Sequence, residues 1–271
     1  MQPTMMPPCC RCRCFASCLG ELADKSSVAV INMTGSLCPI TKGHVQMFEE
    51  ARKIVLNQNP EVPRPEKLMN FEECIGLIKL NYDYHVRKKM ADKGHQAIDY
   101  EERAHLVRLA TVAIPWLAFD ETHGNGYRVL RQAWPNLNFT WFAMNGADDV
   151  LNGKKYEWDF SPPHGTRMII MGRPGFTEQV KQKLKDRGVN DHEGYCILGP
   201  ELPDISSTAV RTGALQYLHP DVAQHLLDTQ YQRVHKRGGE LVNSAPEVVS
   251  EEAASSGSGD PQKRQRSEHS A

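Results

Sequence analysis

The sequence predicts an α/β domain on a mostly parallel sheet with helices on both faces, a Rossmann-like architecture. Short apolar runs rich in β-branched residues recur along the chain, stretches of helical periodicity separate them, and Gly, Pro, Ser and Asp cluster at the junctions. "VAVINM" (28–33) reads as the first buried strand. From His44, the residues Val45, Phe48, Ala51, Ile54 and Val55 repeat at helical spacing to about residue 56. "CIGLIKL" (74–80) is the second strand. "DYEERAHLVRLATVAI" opens with Asp99 and Glu102 at capping-box spacing, then sets Leu106, Leu109, Ala110 and Ala113 on one helical stripe. "NFTWFAMN" (138–145) and "RMIIMG" (167–172) are strands, and "TEQVKQKLKDRG" (177–188) is a helix stopped by Gly188. "YCILG" (195–199) is the last strand, and helices at about 208–214 and 220–232 close the domain. No internal repeat is present.

The chain has 271 residues, 40% apolar and 24% charged, which suits a globular protein with a sizeable core. Its 32 Lys and Arg against 33 Asp and Glu argue against a general nucleic-acid binder, which carries a basic excess. No run reaches 18 apolar residues, so no membrane span is expected. Five of the eight cysteines fall in "CCRCRCFASC" (9–18) rather than through the fold, which fits a reducing, intracellular compartment. Cytoplasm and nucleus are the expected places, with an organelle left open. Zinc prefers separated ligand pairs and no His stands nearby, so residues 1–26 read as a disordered Cys-rich leader, with metal binding or fatty acylation as alternatives. From 237 the composition turns to Gly, Ser, Ala, Glu and Pro, so 237–271 reads as a disordered tail and 27–236 as the folded domain.

"GSLCPITKGH" (35–44) sits at the carboxyl end of the first strand and the amino end of the first helix. Parallel sheets bind ligands at that end. Free helix N–H groups there and a dipole of about half a positive charge suit an anion. Gly35 and Gly43 would let the chain turn tightly, and His44 would aim an imidazole N–H at the same place. Neither a Walker loop nor GxGxxG is present; a plain connection is the competing reading. "PDISSTAVR" (203–211) repeats the situation after the last strand: Ser206, Ser207 and Thr208 offer hydroxyls and Arg211 a guanidinium fork. Alone, it is equally a capped helix with a surface Arg.

Together the two stretches resemble the nicotinamide or nicotinate mononucleotide adenylyltransferases, marked by (H/T)xGH and ISSTxxR. The first motif reads "TKGH", Thr41 to His44, and the second "ISSTAVR", Ile205 to Arg211. The resemblance covers roughly residues 28–232 in order, so 27–236 would be a nucleotidyltransferase domain. It implies that Gly35, Ser36, Leu37, Thr41, Gly43, His44, Arg173, Ile205, Ser206, Ser207, Thr208 and Arg211 bind ATP, with His44 and Arg211 catalytic. It also implies that "NGADD" (145–149), through Gly146 and Asp148, and Trp158 hold the mononucleotide, and that "GRPG" (172–175) lies on the ATP side.

The implied reaction moves AMP from ATP to the mononucleotide phosphate and releases pyrophosphate. Mg²⁺ would arrive with ATP, no protein-built metal site being expected. The implied partners are ATP and a pyridine mononucleotide; oligomeric state is open. The sequence departs from the family at Leu37 and Cys38, and in two segments that hold the pyridine end, "KLN" (79–81) and "DETHGN" (120–125). A cytidylyltransferase, a phosphopantetheine adenylyltransferase and a non-catalytic nucleotide-binding homologue are the alternatives.

Overall fold

The structure is a computed structural model that describes residues 15–60, 62, 64–122, 125–152, 167–189 and 194–236. The chain divides into two compact units, residues 1–230 and 231–271, and the first holds the whole sheet. In order, the elements are α1 (Ala16–Leu19), β1 (Ser27–Gly35), α2 (Lys42–Val55), β2 (Glu73–Leu80), α3 (Asp83–Ala91), α4 (Tyr100–Thr111), β3 (Leu117–Phe119), α5 (Gly126–Ala133), β4 (Asn138–Gly146) and α6 (Ala147–Asn152). They continue as β5 (Arg167–Gly172), α7 (Thr177–Asp186), β6 (Cys196–Glu201), α8 (Ser207–Arg211), a 3₁₀ turn at Leu215–Tyr217, and α9 (Pro220–Lys236).

The six strands form one sheet in the order β3-β2-β1-β4-β5-β6, every neighbouring pair parallel. The α/β, Rossmann-like architecture is therefore as the sequence predicts. Chain order reverses between β1 and β4, the switch point at which such sheets open a crevice. In β1, Ala29, Ile31 and Met33 pack with Phe48 of α2 and Leu106 and Val107 of α4 on one face. Val28 and Val30 pack with Leu130 of α5 on the other. Farther along that second face, Met168 and Ile170 of β5 meet Val150 of α6 and Val180 of α7.

Several boundaries differ from expectation for local reasons. The stripe of α4 is buried at Ala104, Leu106, Val107 and Ala110, while Ala113 lies beyond the helix and is exposed. Asp99 caps α4 by accepting from Glu102 N–H at 2.9 Å, but the Glu102 carboxylate meets His225 Nε2 of α9 at 2.8 Å instead of completing a capping box. The helix expected at 208–214 is shorter, α8 ending at Arg211, and a separate 3₁₀ turn follows at Leu215–Tyr217. α7 does stop before Gly188, whose φ of +62° ends the helix as a left-handed cap.

The expected leader is corrected in part. Phe15 and Leu19 are 2% and 1% exposed and pack against Val28, Val30, Ile75 and Leu137. The packed region therefore includes residues 15–19, and residues 1–14 and 237–271 lie outside the described residues. Leu19→Ala is expected to cost about 2–3 kcal/mol of unfolding free energy, measured by urea denaturation, since it empties a core position. Among the described residues no helix is long and apolar enough to cross a membrane.

Candidate functional site

After Gly35 the chain crosses the carboxyl end of the sheet and enters α2 through Thr41, whose extended backbone (φ −127°, ψ 165°) is that of an N-cap. The left-handed residue of this loop is Leu37, at φ +40°, rather than either of its glycines. Leu37 is 4% exposed, so its side chain anchors a conformation that leucine otherwise disfavours.

Thr41 N–H donates to His44 Nδ1 at 3.0 Å, and Thr41 Oγ1 lies 2.8 Å from the same nitrogen. A backbone N–H can only donate, so Nδ1 accepts and the neutral ring carries its proton on Nε2. Burial pushes the His44 pKa down to about 4, the Arg173 and Lys89 cations push the same way, and Asp148 opposes in part. His44 at neutral pH is thus an uncharged donor in the crevice wall.

This depression has a sign. Between the ordinary histidine value near 6.5 and about 4, the unfolded chain binds the proton and the folded one does not. The contribution is full above pH 6.5 and is lost as pH falls to 4, up to about 3 kcal/mol. NMR titration should show the His44 ring neutral at pH 5.5, and His44→Ala should flatten the acid loss of stability; a ring titrating near 6.5 would contradict both.

The second loop clamps the first. Ser206 caps α8 by accepting from Ala209 N–H at 3.2 Å. Ser207 Oγ donates to the Pro39 carbonyl at 2.7 Å. Arg211 donates from Nη1 to the Cys38 carbonyl at 2.6 Å and from Nη2 to Thr208 Oγ1 at 2.9 Å, while its buried Nε has no partner among the described residues. Gly43 fits closely here: a Cβ on it would crowd the Ile205 Cβ at 3.0 Å and carbonyl at 3.2 Å. The glycine of "TKGH" thus lets the isoleucine of "ISSTAVR" sit against the start of α2.

Between the loops lies a crevice of about 470 Å³ at the switch point. Gly35, Ser36, Leu37, Gly43 and His44 line it from the first loop, and Ile205, Ser206, Ser207, Thr208 and Arg211 from the second. Gly146, Asp148 and Arg173 line it from the ends of β4 and β5. Thr41 is buried behind His44, and Trp158 lies outside the described residues. Arg173 bonds Asp148 at 2.5 Å and Asp204 at 2.6 Å, closing one side with an ion-pair triad.

Sequence reasoning missed Lys89 of α3 and Lys93 just after it, which bring two ammonium groups to the same walls. Their four-residue spacing in "RKKMADKG" was the available signal. Lys42, two residues before the motif histidine, donates to the Gln216 carbonyl at 2.8 Å. Lys89, Lys93, Arg211 and a neutral N–H donor thus share one space with Asp149 and with the paired Arg173 and Asp148. An anionic, oxygen-rich ligand fits that balance.

No family model and no curated protein matches the chain. Two solved structures of Plasmodium falciparum nicotinic acid mononucleotide adenylyltransferase resemble it, one complexed with NaAD and the other with APC. They share 14% and 15% identity, cover 76% and 74% of this chain and 96% of their own, and reach a TM-score of 0.45. A likeness at that level carries no functional argument.

Proposed function

We propose that the protein is an adenylyltransferase that moves AMP from ATP to the phosphate of a pyridine mononucleotide, giving a dinucleotide and pyrophosphate. One observation carries the reading: two loops far apart in sequence, each with a motif of phosphate-binding residue types, clamp together around one cation-rich crevice at the switch point of the sheet.

The bond that forms joins an acceptor phosphate oxygen to the α-phosphorus, and the α–β bridging bond breaks. The nucleophile is already an anion, so positioning and charge stabilisation suffice. His44 Nε2–H would donate to an α-phosphate oxygen as charge gathers there, while Arg211, Ser207 and Thr208 would hold the β- and γ-phosphates. Lys89 and Lys93 add charge to the same walls. Gly146 and Asp148 would hold the mononucleotide sugar. Mg²⁺ is proposed to enter with ATP, held by the triphosphate oxygens and water.

Pyrophosphate release from MgATP should require added pyridine mononucleotide; release without acceptor would contradict the reading. Arg211→Ala should raise the KM for ATP and also lower kcat, because the guanidinium holds the Cys38 carbonyl as well as phosphate. An unchanged KM would show that Arg211 serves the loop alone.

A further inference from the structure

Arg173 stands in the crevice wall with every nitrogen of its guanidinium in use. Nη1 donates to Asp148 Oδ2 at 2.5 Å, and Nη2 and Nε donate to Asp204 Oδ1 at 2.6 and 3.2 Å. Its backbone is fixed as well, because its N–H donates at 2.9 Å to the Oγ1 of Thr177, a buried residue. Three strand ends meet at this one side chain. Arg173 directly follows β5, Asp148 lies in the first turn of α6 just after β4, and Asp204 lies between β6 and α8, immediately before Ile205 of the second motif.

One guanidinium against two carboxylates leaves the triad formally negative. A triphosphate would have to displace a carboxylate to reach Arg173, and that carboxylate would then stand beside the incoming anion. Lys89, Lys93 and Arg211 face the same crevice without a carboxylate partner among the described residues, so phosphate charge would go to them first.

Asp148 is left in a definite pose. Arg173 holds its Oδ2, and a side chain on Gly146 would push its Oδ1, because a Cβ there would lie 2.8 Å from that oxygen. Both residues line the crevice. A carboxylate held in one rotamer can accept from a sugar hydroxyl through the oxygen that the arginine leaves open. We infer that Arg173 is a positioning residue and not an ATP ligand: it holds Asp148 in the pose that receives the sugar of the acceptor mononucleotide, and through Asp204 it ties that pose to the start of the second motif. The inference rests on the adenylyl-transfer reading and departs from the ATP-binding role that the resemblance implies for Arg173.

The test varies MgATP and nicotinamide mononucleotide in turn, in the wild type, Arg173→Gln, Arg173→Lys, Asp148→Asn and the double variant of Arg173→Gln with Asp148→Asn. Each is checked for folding by thermal melting. Arg173→Gln should raise the KM for the mononucleotide by on the order of 10 to 10² and leave the KM for ATP within about twofold. Arg173→Lys, whose single ammonium cannot serve both carboxylates, should recover only part of that loss. Asp148→Asn should raise the same KM, and adding Arg173→Gln to it should change little further, because the arginine acts through that carboxylate. A folded Arg173→Gln with the mononucleotide KM unchanged or the ATP KM raised about tenfold would overturn the inference while the adenylyl-transfer reading stands. So would effects of the two substitutions that multiply in the double variant. A wild type that forms no dinucleotide would overturn both. Should Arg173→Gln fail to fold, Arg173→Lys decides: its mononucleotide KM should rise and its ATP KM should not, and the reverse overturns the inference.

Discussion

His44→Ala is expected to lower kcat by on the order of 10² to 10³ while changing the KM for ATP little. The imidazole is neutral, with its pKa near 4, and its Nδ1 is occupied by the Thr41 N–H. What remains is one Nε2–H donor fixed in the crevice wall. Such a donor would add little to ground-state binding, where Lys89, Lys93 and Arg211 would already answer the charge of a bound phosphate. Its contribution grows as charge builds on the α-phosphate oxygens, so its loss appears in kcat. The variant also strands the Thr41 N–H at the start of α2, at a cost of about 1 kcal/mol. Turnover must therefore be compared between samples shown to be folded. Wild-type kcat in a folded variant would remove His44 from the chemistry.

Arg103→Ala is expected to cost about 3–5 kcal/mol of unfolding free energy, the largest single-site loss foreseen. Arg103 is 0% exposed, in the interior of α4. Its guanidinium donates to three carbonyls, those of Ile98, Ser36 and Asn81, each at 3.0 Å, and to Asp83 Oδ1 at 2.9 Å. The same group lies 5.7 Å over the Tyr100 ring. Alanine would leave a void and several buried acceptors without a donor. Because Ser36 belongs to the loop beside His44, the crevice should loosen as the fold weakens. Arg103→Lys, with one ammonium in place of a planar fork, should recover only part of the loss. Urea denaturation measures both, and a loss under about 1 kcal/mol for the alanine variant would contradict the account.

Arg103 shows where sequence reading stopped. In "DYEERAHL" it looks like a solvated helix charge, because three of its four acceptors, at Ser36, Asn81 and Asp83, are distant in sequence and only the fold brings them to it. Strands β1, β2 and β5 were legible because burial on both faces gives nearly unbroken apolar runs, and β4 and β6 from shorter apolar stretches. β3 was not: it has three residues, two of them half-buried. α3 hid for a similar reason, since only Val86 and Met90 are buried and two residues do not make a stripe. Lys89 was missed along with it. α1 was read as part of the leader because Phe15 and Leu19 stand alone among cysteines. In the crevice, the residue types were readable from two short motifs, and the sheet topology predicts that both loops lie at one end of the strands. The contacts joining them were not, because Ser207 to Pro39 and Arg211 to Cys38 are bonds to backbone carbonyls, which any residue supplies.

The most direct measurement follows the label from ATP carrying radioactive phosphorus at the α position, mixed with Mg²⁺, the purified protein and nicotinamide mononucleotide. The account predicts that the α label enters a dinucleotide in step with pyrophosphate release, and that the transfer falls by on the order of 10² or more in folded His44→Ala. Label left in ATP, or moved into ADP or free AMP with no dinucleotide formed, would contradict it.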